Sequence, residues 1–193
     1  MATIEMMIDP VLMDIETSFE SERMLLRAPR AGDGAAIYEA TVESLAELRS
    51  WMPWVHDELS VDVSEKSVRR SMAQWILRED MRFSMHDKRT GRFIGGTGLH
   101  RPSWNDRRFE IGYWVRTSEA NKGYVTEAVR ALTRWAFAAL TYAGSASSPE
   151  RYSITRASAG GGRRAYGYGE ALGRSSAVLC PARSMAYGLR EVI

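Results

Sequence analysis

The sequence predicts an α+β domain built on a mostly antiparallel, twisted sheet with flanking helices. Three observations carry that prediction. A short apolar strand near the N-terminus is followed by two helical stripes. Three strands joined by turn-like segments come next, and a long amphipathic helix follows the third of them.

The first strand is read in ERMLLRA, residues 22–28, closed by Pro29 and the turn-prone AGDG. Asp33 stands where it can cap the next helix, whose apolar positions Ala36, Ile37, Ala40, Leu45 and Leu48 keep helical spacing. RSWMPWVHDELS follows, with Trp51 and Trp54 flanking Met52 and Pro53. Proline bars a helix interior, so this stretch is a loop carrying two large rings. A second helix is expected from about Asp62, with Glu65 three residues later as in a capping box. Val68, Met72, Trp75 and Ile76 give it one apolar stripe.

MRFSMHD and RFIGGTGLH then read as a hairpin joined by KRTG. In RRFEIGYWV the alternation is clean. Phe109, Ile111, Tyr113 and Val115 face one way, and Glu110, Gly112 and Trp114 the other. The last clear helix is expected over residues 125–140. Val125, Ala128, Val129, Leu132, Ala136 and Ala139 point inward, with Glu127, Arg130 and Arg134 outward.

Composition narrows the function classes. A chain of 193 residues suits one domain with a real core, and no apolar run approaches a membrane span. The first twenty residues hold five acids and no base, the opposite of a secretory signal. Cys180 is the only cysteine, so no intramolecular disulfide forms and a cytoplasmic location is the expectation. The net charge of +2 and the lack of a basic, aromatic-rich stripe speak against nucleic acid. His56, His86 and His100 lack metal-ligand spacing and read as incidental, so no metal is expected.

One junction carries chemistry. NKGYVTEA sits where the third strand ends and the helix begins, with Gly123 free to take a left-handed backbone. The first N–H groups of a helix lack intrahelical partners and lie at its positive end, so a phosphate could bind there. An ordinary strand-to-helix turn would use glycine in the same way, and spacing leaves both readings open. The chain has no GxxxxGK[ST], and Gly123 has no GxGxxG partners.

FEIGYWVRTSEANKGYVTEAVRALTRWAF resembles the cofactor-binding strand and helix of the GNAT N-acetyltransferases. More narrowly, it resembles the branch named for the RimJ/RimL ribosomal-protein N-terminal acetyltransferases. SERMLLRAPRAGD, LAELRSWMPW, RFIGGTGLHR and FEIGYW are similar to that branch and occur in its order. The resemblance spans roughly residues 20–140. It implies an N-terminal extension over 1–20 and a single acetyltransferase-like domain over 21–193. The implied donor is acetyl-CoA and the implied acceptor a primary amine, such as the N-terminus of a ribosomal or other protein, with a homodimer allowed.

The family's diphosphate signature, Gln/Arg-x-x-Gly-x-Gly/Ala, falls on residues 120–125. Gly123 matches, and Ala120 and Val125 do not. The resemblance implies that Lys122, Gly123, Tyr124, Val125 and Thr126 hold the diphosphate, chiefly by backbone donors. The pantetheine arm would pair with the strand around Trp114 and Val115. Glu110 becomes the candidate base, acting through water, or else a surface carboxylate paired with Arg107 or Arg108. Trp51 and Trp54 would wall the acceptor pocket. Ser118, Thr126 and Glu127 near the helix start read as caps. A small amine acceptor, or a module that binds coenzyme A without transferring acetyl, stays open beside this reading.

Past Leu140 the resemblance stops. Residues 141–193 hold eight of the sixteen glycines and seven arginines against three acids, and contain no Asp, Asn, Lys, Phe or Trp. The Asn–Ser pair that the family carries in this region is absent, and Tyr152 and Tyr166 have no motif behind them as thiolate acids. Residues 141–181 read as loop or low-complexity chain, either divergent or translated in a shifted frame. RSMAYGLREVI again resembles the family's last strand.

Overall fold

The computed structural model describes residues 9–49, 59–106, 108–143, 152–156 and 166–169. Strands β1 (Ser18–Glu20) and β2 (Met24–Arg27) precede helices α1 (Gly34–Glu43), α2 (Leu45–Arg49) and α3 (Val61–Ile76). Strands β3 (Met81–Asp87), β4 (Phe93–Ser103) and β5 (Arg108–Val115) lead to helix α4 (Tyr124–Ala143). Strands β6 (Tyr152–Arg156) and β7 (Tyr166–Gly169) complete one sheet in the order β1 to β7. Every pair is antiparallel except β5–β6, where α4 makes the crossover that a parallel pair requires.

One face of the sheet carries Leu26, Met81, Phe83, Met85, Leu99, Phe109 and Ile111, all at most 2% exposed. Phe83 lies at the centre of this core, edge-on to Trp75 of α3 (5.8 Å) and Trp135 of α4 (4.9 Å). Phe19 of β1 stacks on Trp135 at 5.2 Å. Ala128, Ala131 and Ala136 are buried where α4 approaches the strands. The opposite face holds Trp114, which packs on Leu45 and Leu48 at the α1–α2 elbow.

The expected order of first strand, two helical regions, three strands and helix is present, and several boundaries are corrected. The helix expected to run on through Leu48 breaks at Ser44, whose Oγ accepts the Thr117 N–H at 2.9 Å. Asp33 does not cap it. Its carboxylate takes two bonds from the Arg27 guanidinium (2.8 and 2.6 Å) and one from the Arg30 N–H. Helix α3 is capped by Ser60, which accepts the Val63 N–H at 3.1 Å, and Glu65 forms no capping box with Asp62.

β1 lies within the residues read as an N-terminal extension, and its alternation is too short to stand out in sequence. The stretch expected to be loop after Leu140 contains β6, which pairs with β5, and β7, which pairs with β6, so both are fixed by the sheet rather than by local pattern. The end segment RSMAYGLREVI lies outside the described residues.

Candidate functional site

The turn between β5 and α4 carries a run of backbone donors at the start of the helix. Asn121 (φ 61°) and Gly123 (φ 82°) both take left-handed backbone, which folds the segment into a tight concave turn. The Glu127 N–H closes the first helical turn on the Gly123 carbonyl at 3.1 Å. Among the described residues, the N–H groups of residues 121–126 find no protein acceptor. Six successive donors at the positive end of a twenty-residue helix suit an anion with several oxygens.

Two ion-pair systems hold this turn in place. Arg116, only 2% exposed in its side chain, binds Glu43, Glu39 (2.7 Å) and the Phe93 carbonyl (3.2 Å). Glu43 also accepts the Ser118 N–H at 2.9 Å. The hydrogen bond from Arg116, working against burial, holds the Glu43 carboxyl down at about 2. On the other flank, Glu127 accepts from Ser21 Oγ (2.7 Å), the Arg23 N–H (2.8 Å) and Arg23 Nε (2.7 Å). Burial opposes ionisation of Glu127, but these bonds outweigh it and lower its pKa. Arg23 also donates to the Lys122 carbonyl at 3.1 Å and lies 4.2 Å over the Tyr124 ring.

β5 offers the second part of the site. Among the described residues its parallel pairs with β6 run from Arg108↔Ser153 to Ile111↔Arg156, and β5 itself reaches Val115. On the α1–α2 face, Trp114 continues a row of rings through Phe93 (5.7 Å) to His86 (5.6 Å from Phe93). Burial lowers the His86 pKa. On the same face Glu110 stands opposite His100 in the β4–β5 register. Among the described residues its ion-pair partner is Arg101 at 2.9 Å rather than Arg108, and Arg107 lies outside them.

The candidate residues therefore separate. Lys122, Gly123, Tyr124, Val125 and Thr126 form the turn and helix start, with Lys122 paired to Glu119 at 3.0 Å and Val125 packed on the core. Trp114 and Glu110 lie on the α1–α2 face, and Val115 packs against the core on the other. Trp51 and Trp54 lie outside the described residues. Glu127 is not a cap but the anchor for the β1–β2 hairpin.

A profile of the acetyltransferase (GNAT) domain matches residues 23–158. The chain belongs to the GNAT acetyltransferase family. Its family match runs past Leu140, where the motif resemblance had stopped, and takes in β6. The GNAT fold is also seen in solved structures. A ribosomal-protein-S5-alanine acetyltransferase from Vibrio fischeri superposes with a TM-score of 0.60 at 18% identity, covering 79% of this chain and 75% of the other. The microcin C7 self-immunity acetyltransferase MccE, in complex with acetyl-CoA and AMP, gives 0.59 at 16% identity over 69% of each chain. RimL, a ribosomal L7/L12 α-N-protein acetyltransferase in complex with coenzyme A, gives 0.58 at 18%, covering 70% and 71%. A comparison with curated protein sequences gives no match.

Sequence reasoning missed Arg23, Glu43 and Arg116, which hold the turn of this GNAT domain. Arg116 closes the family-like FEIGYWVR block, a signal that was present. The contacts of Arg23 with Lys122 and Glu127 span about a hundred residues and leave no local trace.

Proposed function

We propose that this protein is an acetyl-CoA-dependent N-acetyltransferase acting on a primary amine, with a protein N-terminal α-amine as the leading acceptor class. The single observation behind the donor is the run of six unpartnered N–H groups at residues 121–126. They suit the diphosphate of coenzyme A, and the solved complexes of MccE with acetyl-CoA and of RimL with coenzyme A support that choice. Backbone donors make the site tolerant of Ala120 and Val125, because a main-chain N–H does not depend on the side chain it carries.

From that anchor the pantetheine arm runs along β5 near Trp114 and Val115. The acceptor approaches on the α1–α2 face, where Trp114 and Glu110 stand and where Trp51 and Trp54 follow α2 in the chain. Most amines are protonated near neutral pH, and only the neutral form attacks, so a proton acceptor is needed. Glu110 draws the ammonium form and takes up its proton through water. The tetrahedral oxyanion is met by a strand N–H of β5. No described nucleophile stands at the turn, so direct attack by the amine is favoured over an acyl-enzyme.

The test is a thermal shift with acetyl-CoA, followed by thiol release on adding N-terminal peptides, including ribosomal-protein N-termini, and small amines. A shift with release is the expected outcome. A shift without release identifies a binding module instead, and no shift overturns the diphosphate site.

A further inference from the structure

Two side chains on the α1–α2 face have no part in the reading above. His100 of β4 lies beside Glu110, and its Nδ1 is 3.0 Å from each carboxylate oxygen of Asp80, in the turn between α3 and β3. An ionised carboxylate can only accept, so chemistry assigns the proton of the neutral ring to Nδ1 and the lone pair to Nε2. Among the described residues Nε2 makes no hydrogen bond.

Glycines set where that lone pair lies. A Cβ at Gly112 would fall 2.8 Å from Nε2 and 2.7 Å from Cδ2, and one at Gly98 would fall 3.1 Å from Cε1. The imidazole therefore rests over bare backbone of two adjacent strands, at a distance no larger residue would permit. His100 thus stands on the same face as Glu110 and Trp114, one strand over from β5.

We infer that His100 is a proton acceptor for the attacking amine, with Asp80 as its positioning residue. This rests on the transferase reading above. Glu110 must give up its 2.9 Å ion pair with Arg101 to hold a proton, whereas His100 Nε2 has no partner to give up. Glu110 takes the first proton of the ammonium and releases it to solvent through water, which leaves Nε2 free. The amine nitrogen then bonds to the thioester carbon as Nε2 takes its N–H proton. Collapse of the oxyanion breaks the C–S bond, and the thiolate takes a proton from the imidazolium or from water. One proton is released overall when the acceptor starts as an ammonium.

The charged groups facing the ring are Asp80, with Arg82 of β3 3.6 Å from it, and Glu110 with Arg101.

His100→Asn tests this directly, because the amide keeps a donor toward Asp80 and removes Nε2. The acetyl-CoA thermal shift should match wild type, while kcat/KM for an amine peptide falls roughly a hundredfold or more. Added imidazole should restore part of the rate. Asp80→Asn should retain the acetyl-CoA shift and lower kcat with little change in KM for the amine, and Asp80→Glu should restore part of the rate. Wild-type turnover by His100→Asn overturns the inference and leaves the transferase reading standing. No thiol release by the wild type with any amine overturns both. Should His100→Asn not fold, the ¹⁵N signal of His100 in the intact protein decides. Acetyl-CoA must move the Nε2 resonance, and an unmoved signal overturns the assignment.

Discussion

Glu65 of α3 caps α1, a helix to which it does not belong. Its Oε2 accepts the Gly34 N–H at 3.1 Å, and both of its oxygens accept the Gly32 N–H at 3.0 Å. The two helices approach so closely that a Cβ at Gly34 would lie 2.6 Å from the Glu65 Cα. Gly34→Ala should therefore destabilise the protein by about 1–3 kcal/mol through overpacking. Urea denaturation checks this, with a lower midpoint at unchanged m-value and the acetyl-CoA thermal shift retained.

Glu43 makes stability depend on acid. Its pKa is held at about 2 when folded, below the ordinary carboxylate range, chiefly by the bond from Arg116. A depressed folded pKa adds stability above the unfolded value, and that stability is lost as pH falls toward the folded value. Urea midpoints should thus decline between the ordinary carboxylate range and pH about 2. Glu43→Gln should be less stable at neutral pH and show a shallower acid decline.

Gly123 at φ 82° and Gly32 at φ 98° share the same backbone demand, but only Gly123 lies in the donor turn. Gly32→Ala has open space for its methyl group and carries backbone strain alone, about 1–3 kcal/mol. It should lower the melting temperature and keep the acetyl-CoA shift. Gly123→Val, which distorts the turn itself, should abolish the shift.

Arg78 staples the N-terminal segment to α3. It lies 9% exposed at φ 59° and donates to the carbonyls of Met13 (2.6 Å), Trp75 (2.9 Å) and Pro10 (3.3 Å). Its guanidinium lies 4.8 Å over the Trp75 ring. Arg78→Met removes the side-chain donor of the Met13 carbonyl, at about 1–3 kcal/mol if that oxygen stays buried. Hydrogen exchange should quicken at residues 9–13 before the rest of the sheet.

Glu110→Gln removes the proton-bearing oxygen pair and keeps the shape of the side chain. The acetyl-CoA shift should persist while turnover slows about a hundredfold. Normal turnover near neutral pH would remove Glu110 from the mechanism.

The helices and the three central strands were legible because their periodicities are long and unbroken. RRFEIGYWV alternates over its whole length, and the stripe from Val125 to Ala139 turns with helical spacing. The donor turn was legible too, since a glycine between a strand and a helix has few structural uses. Charged partners were not. Asp33 and Glu65 each sit where local rules assign a cap, yet Arg27 takes one and the N-terminus of α1 the other. A cap is worth about as much as a good ion pair, so a partner brought in by tertiary packing can outbid it.

By itself the sequence determined the helical regions, the strands β2 to β5 and the glycine turn before α4, because those depend on neighbours within a few residues. Tertiary structure alone decided that Arg23 meets Glu127, that Arg116 meets Glu43, and that His100 lies over Gly112 backed by Asp80. Sheet register and helix docking fix those meetings, and neither is written in the local pattern of charge or hydrophobicity.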